Sequence, residues 1–123
     1  VQNILVVDDD PSGVQLLITL LGLCGHEARK LEDWENPLGD IERYQPALVI
    51  MDVHLQSKNG LELLREIRTH PSSEVAQTPV LMISAEDYQA ECKEAGASAF
   101  LLKPFGYGDL VAVISGIEEG NQP

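Results

Sequence analysis

The stretch Ile4-Leu5-Val6-Val7-Asp8-Asp9-Asp10-Pro11-Ser12-Gly13 decides the fold. Consecutive aliphatic residues with no polar alternation mark a strand buried on both faces, as in parallel sheets covered by helices. Aspartates end the run, and Asp10-Pro11 reads as an N-cap with proline at the first helical position. Val14, Leu17, Ile18, Leu21 and Cys24 then follow at helical spacing, and Gly25 stops the helix.

The same grammar continues along the chain. Ala47 to Met51, Val80 to Ile83 and Ala99 to Leu102 are further aliphatic runs, and Glu27 to Leu31 is a weaker strand that suits an edge. Asn36-Pro37 opens a shorter helix toward Tyr44. Gly60 to Thr69 places Leu61, Leu64 and Ile67 on one face. Glu86 to Ala95 reads as a mostly polar helix that stops at Gly96. Leu110, Val113, Ile114 and Ile117 stripe a last helix, and Glu118 to Pro123 reads as a frayed tail. The order βαβαβαβαβα predicts a right-handed, doubly wound α/β domain spanning residues 1–123.

Composition narrows the function classes. Eight basic against 20 acidic residues give the 123-residue chain a formal charge of −12, which repels nucleic-acid phosphates and anionic lipid. No apolar run approaches the roughly 20 residues of a membrane span, and no basic-then-apolar leader is visible. Cys24 and Cys92 lack metal-type spacing and read as small hydrophobes in a reducing compartment, which places the chain in the cytoplasm.

Ligands of open α/β sheets bind beyond the carboxyl ends of the strands. Here those ends carry Asp8, Asp9 and Asp10, then Asp52, Ser84 and Lys103. Each has an ordinary structural explanation: Asp10 caps a helix, Asp8 takes a backbone amide, Ser84 satisfies a strand end and Lys103 is a surface charge. Those explanations leave the convergence from four strands unaccounted for. Like charges about 4 Å apart repel by about 4 kcal/mol at an effective dielectric near 20, so grouped aspartates call for a cation. Lys103 supplies one charge. An all-oxygen set suits Mg²⁺ or Mn²⁺ as the second, with His54 the only nearby imidazole. A metal, a lysine and a hydroxyl around one carboxylate are the requirements of phosphoryl transfer to that carboxylate.

The strings ILVVDDDPS, ALVIMDVHL with Gly60 eight residues past Asp52, PVLMISA and AGASAFLLKPF together resemble the receiver domain of two-component response regulators. The resemblance implies a flavodoxin-like three-layer sandwich, (βα)5, with a five-stranded parallel sheet in the order 2-1-3-4-5. It implies that Asp52 is the phosphoacceptor, that Asp9 ligates Mg²⁺ directly and that Asp8 acts mainly through water. The backbone carbonyl of His54 completes the metal ligands. Ser84 and Phe100 match the switch hydroxyl and switch aromatic, and Lys103-Pro104 matches a pair usually joined by a cis bond. His54 and Glu86 fall where receivers border the path of the hydrolytic water.

The implied partners are a histidine kinase or histidine phosphotransfer domain and a downstream effector or attached output domain. The thin polar stripe of the first helix (Gln15, Thr19, Gly22) and the apolar Val111 and Ala112 of the last suggest a homodimer through those helices. Three features depart from the family pattern. Gln56 stands where proline is usual, Phe100 lacks the hydroxyl of a tyrosine, and Ser84 to Lys103 spans only 19 positions, which predicts a shortened fourth helix or preceding loop. The competing classes are an aspartyl-nucleophile, Mg²⁺-dependent phosphohydrolase and a receiver-fold interaction module that is not phosphorylated. The first usually carries a second aspartate where His54 stands.

Overall fold

In the computed structural model, which describes residues 2–56 and 58–120, parallel strands make one five-stranded sheet in the order β2-β1-β3-β4-β5. The strands are β1 (Asn3–Val7), β2 (Glu27–Lys30), β3 (Leu48–Asp52), β4 (Val80–Ser84) and β5 (Ala99–Leu102). The helices are α1 (Pro11–Leu23), α2 (Pro37–Tyr44), α3 (Gly60–Arg68), α4 (Ser73–Ala76), α5 (Gln89–Ala95) and α6 (Tyr107–Gly120). This is the doubly wound arrangement that the alternating elements predict, with the flavodoxin-like strand order that the receiver resemblance implies.

The two-residue period of the strands divides the core in two. Leu5, Val7, Val49, Met51, Val80 and Met82 pack with Ile41 of α2, Leu63, Leu64 and Ile67 of α3, and Cys92 of α5. Their alternates Ile4, Val6, Leu48, Ile50, Leu81 and Ile83 pack with Val14, Leu17 and Leu21 of α1 and with Leu110, Ile114 and Ile117 of α6. Burying each such side chain stabilises the fold by about 1.5–3 kcal/mol. The register Val6↔Ile50 and Met51↔Met82 brings the carboxyl ends of β1, β3 and β4 to one edge. Helices leave that edge from side-chain caps: Asp10 accepts from the Ser12 amide at 3.3 Å and Asn59 from the Leu61 amide at 2.8 Å.

Several boundaries differ from the sequence reading. The helix expected from Glu86 starts at Gln89, because Ser84 and Asp87 side chains accept the amides of Glu86 and Gln89 and hold that backbone in turns. The one-turn α4 was not expected, being too short to show a period. Arg68 braces it by donating to the carbonyls of Ala76, Thr78 and Gly96. Cys24 is the half-buried C-cap of α1 rather than a core residue, with its thiol 3.4 Å from the Tyr107 hydroxyl. Glu118 and Glu119, expected in a tail, continue α6, where Ile117 is buried and Glu118 accepts from Gln2 at 2.8 Å. Residues 121–123 of that expected tail lie outside the described ones.

One buried charge was not visible in the sequence. Asp40 of α2 is fully buried, and its Oδ2 accepts the amides of Glu32 (2.9 Å) and Asp33 (3.1 Å), closing the turn after β2. Arg43 pairs with the other oxygen. Burial alone would raise the carboxyl's pKa, but the two amides and the Arg43 charge outweigh it and hold Asp40 below the ordinary carboxylate range. A depressed pKa in the folded state stabilises above the unfolded value near 3.9 and loses that contribution as pH falls through the folded value. Asp40→Ala is therefore expected to cost about 2–3 kcal/mol in urea unfolding at neutral pH. The difference from wild type should shrink progressively in acid below about pH 4.

Candidate functional site

Four of the expected site residues stand at or one position beyond a strand end, where the chain leaves the ladder and the side chain is free to face the rim. Asp8 follows β1, Asp52 ends β3, Ser84 ends β4 and Lys103 follows β5. Asp8 is 6% exposed, Asp52 7% and Ser84 0%. Lys103 Nζ lies 2.6 Å from Asp52 Oδ2 and 3.5 Å from Asp8 Oδ2. Burial would lower the lysine's pKa, but the hydrogen bond and charge of Asp52, joined by Asp8, raise it and keep it an ammonium. For Asp8 burial dominates and raises the pKa, with the Asp52 charge adding to it and the Asp10 amide and Lys103 opposing it.

Gly60 makes the geometry possible. A Cβ there would sit 2.2 Å from the Asp52 carbonyl oxygen, so only glycine lets α3 begin directly against the end of β3. Its amide donates to the Val53 carbonyl at 2.8 Å. Asp52 Oδ1 meanwhile accepts the His54 amide at 2.8 Å, which leaves Oδ2 to Lys103.

The rim carries more negative than positive charge. Asp8, Asp9 and Asp52 face one lysine, and Asp8 Oδ2 is a buried oxygen with no hydrogen-bond partner. Orphaned buried carboxylate oxygens are costly and fit a missing cation. The donors are all oxygens, which matches Mg²⁺ rather than zinc. Among the described residues no three His, Cys, Asp or Glu side chains form a ready-made cage. An ion that retains several waters needs none.

The remaining expected residues are placed as follows. His54 is half exposed, its Nε2 3.4 Å from Glu86 Oε1 and its ring edge-on to Tyr88 at 5.2 Å, so the segments after β3 and β4 touch there. Ser84 turns its hydroxyl oxygen to the Glu86 amide at 3.1 Å. Phe100, opposite Met82 in the ladder, is half-buried against the core on the α3 side. The Lys103-Pro104 bond is cis. Sequence reading missed the contact of the Gln56 amide with Asp9 and the place of Trp34, which lines a groove of about 650 Å³ with Asp8 and Asp9.

The family model described as the response regulator receiver domain matches residues 4–115. The chain belongs to that family. The sensory/regulatory protein RpfC of Xanthomonas campestris is 34% identical over 105 residues, which cover 83% of this chain and 14% of that protein. The DNA-binding response regulator MtrA of Mycolicibacterium smegmatis is 32% identical over 114 residues, covering 90% of this chain and 48% of the relative. The chain thus spans less than half the length of these relatives. Among solved structures, the chemotaxis response regulator CheY4 of Vibrio cholerae superposes with a TM-score of 0.83 at 27% identity, over 94% of this chain and 97% of that one. A response regulator from Chloroflexus aurantiacus gives 0.85 at 32% identity, over 94% and 96%.

Receiver domains are phosphorylation-dependent signalling modules of two-component systems; they engage histidine kinases and output domains and generally bind Mg²⁺ at the phosphorylation site. The receiver fold of this chain holds its acidic rim against electrostatic resistance. Asp8→Asn removes one of two buried like charges and is expected to raise the Tm by a few degrees without divalent ion. Added Mg²⁺ is expected to raise the Tm of the wild type, and the same variant should lose most of that increment, as read by calorimetry at neutral pH.

Proposed function

We propose that residues 1–123 act as one receiver domain that accepts a phosphoryl group on Asp52 from the phosphohistidine of a histidine kinase or phosphotransfer domain. The observation that carries this reading is Asp52 itself, buried at the end of β3 with one oxygen 2.6 Å from a lysine and the other tied to an amide. An Asp52 oxygen bonds to phosphorus as the bond to the imidazole nitrogen breaks, and the departing imidazole takes up a proton. Water later attacks phosphorus, returning the carboxylate and inorganic phosphate. Lys103 stays within reach of the transferred oxygens and offsets their charge.

Asp8, Asp9, Asp52 and the backbone carbonyl of His54 would hold Mg²⁺ or Mn²⁺. When bound, the ion supplies charge neutralisation for the phosphoryl oxygens. Ser84 donates its hydroxyl proton to the phosphoryl group, and Phe100 repacks in response. That donation is a contact present in one state only, which is what a two-state switch requires. The His54–Glu86 pair borders the approach of the hydrolytic water and sets the lifetime of the acyl phosphate. A signalling switch is favoured over a phosphohydrolase because His54 stands where that class usually carries its second aspartate. Its imidazole is engaged with Glu86 and Tyr88 instead.

Partners follow from the surface. Leu16 and Leu23 of α1 are 60% and 71% exposed on a helix with no charged residue, and Leu16 lines a groove of about 260 Å³ with Leu20 and Phe105. This face, with α6, is where we place docking of a second copy. Among the described residues no helix is long and apolar enough to cross a membrane. The −12 charge argues against contact with nucleic acid through this domain.

Acetyl phosphate with Mg²⁺ should add one phosphoryl group, located at Asp52 by mass spectrometry, and a chelator should prevent it. Asp52→Asn should lose labelling, whereas Ser84→Ala should keep it with a smaller conformational response. Labelling undiminished in Asp52→Asn would overturn the acceptor assignment, and many turnovers of a phosphate ester would favour the hydrolase. Replacing His54 and Glu86 together is expected to change the decay rate of the label severalfold. Sedimentation that shows only monomer at high concentration would remove the second-copy reading.

A further inference from the structure

Each aspartate of the rim gives one oxygen to a main-chain N–H. Asp8 Oδ1 takes the amide of Asp10 at 3.0 Å and Asp52 Oδ1 that of His54 at 2.8 Å, both two residues on within their own turns. Asp9 is different. Its Oδ2 takes the amide of Gln56, 47 positions away in the connection from β3 to α3. We propose that the main-chain amide of Gln56 is a positioning donor that holds Asp9 Oδ2, leaves Oδ1 to the divalent ion, and couples that ion to the Leu55–Gln56 segment. The proposal rests on the Mg²⁺-dependent reading of the site given above.

The geometry of the segment supports it. His54 bridges to Asn59 in an isolated antiparallel pair, which folds the connection from β3 to α3 back on itself. His54 and Gln56 each present an N–H to the rim, one to the aspartate at the end of β3 and one to an aspartate beyond β1. One short stretch grips acids from two strands. It also carries the His54 carbonyl assigned above to the ion.

The energetic case concerns orientation. Asp9 is only partly buried, and among the described residues no lysine or arginine pairs with it. Its side chain would otherwise lose rotamer freedom when it ligates and would swing from the neighbouring carboxylates when it does not. A donor on the oxygen that does not ligate fixes the other oxygen in place, the usual task of groups behind a metal ligand. The donor exists because residue 56 is not proline, which has no N–H to give. The glutamine side chain plays no part, so alanine should serve as well and proline should not.

The test is Mg²⁺ titration of the full chain by calorimetry and by emission of Trp34, its only tryptophan, which shares a groove with Asp8 and Asp9. Gln56→Ala is expected to bind Mg²⁺ as wild type does, and Gln56→Pro about 10-fold more weakly. The metal-free Tm of the proline variant should stay near that of wild type, which separates lost positioning from lost folding. In the wild-type chain, hydrogen exchange of the Gln56 amide followed by NMR should slow severalfold when Mg²⁺ is added. That readout decides the matter even if Gln56→Pro does not fold. Equal Mg²⁺ affinity in a folded proline variant, or a Gln56 amide whose exchange is unchanged or faster with Mg²⁺, would overturn the proposal alone. Absence of Mg²⁺ binding by the wild type would overturn it together with the metal reading of the site.

Discussion

The rim of the sheet gathers acids that repel one another, and the contact of Lys103 with Asp52 and Asp8 is what allows the gathering. Parallel pairing of β1, β3 and β4 forces the carboxylates into proximity. The buried aliphatic layers on both faces supply the free energy that holds them there, since several buried Leu, Ile and Val side chains together outweigh a like-charge contact. The lysine answers only part of the charge. The remainder leaves the rim with net negative charge, which a cation would offset.

That imbalance would give the proposed switch its direction. A phosphoryl group on Asp52 would bring new oxygens into a space where Lys103 already donates and where the Ser84 hydroxyl oxygen accepts the Glu86 amide. The hydroxyl proton remains a donor, and giving it to a phosphoryl oxygen would draw Ser84 toward Asp52 and pull on the segment after β4. His54 and Tyr88 tie that segment to the one after β3, which itself grips Asp52 and Asp9 through main-chain amides. The proposed chemistry at Asp52 would reach both connections through contacts that are individually small.

How much of this was legible in the sequence depended on which atoms carry the information. β1, β3 and β4 were readable because strands buried on both faces leave unbroken aliphatic runs, and Asp10-Pro11 and Asn36-Pro37 because caps are side-chain chemistry. The polar side chains of the rim were readable for a related reason: a strand end in a buried parallel sheet offers few other places for Asp52 or Lys103. Asp40 was not, since a carboxylate within a short amphipathic helix looks like any solvent-facing acid until the turn after β2 closes over it. The late start of α5 at Gln89 depended on competing side-chain turns at Ser84 and Asp87, and α4 was too brief to have a period. The Gln56–Asp9 contact was invisible because its donor belongs to the main chain, and residue type records only that an N–H exists.

The account's central claim is that the rim assembles a divalent ion and a phosphoryl group around Asp52 with these particular side chains. A crystal structure with beryllofluoride and Mg²⁺ tests it most directly. The account predicts beryllium bonded to an Asp52 oxygen, a fluorine in contact with Lys103 Nζ and the Ser84 hydroxyl, and the ion held by Asp9, Asp52 and the His54 carbonyl with Asp8 reaching it through water. Beryllofluoride absent from Asp52 at saturating concentration, or an ion seated away from Asp8 and Asp9, would contradict it.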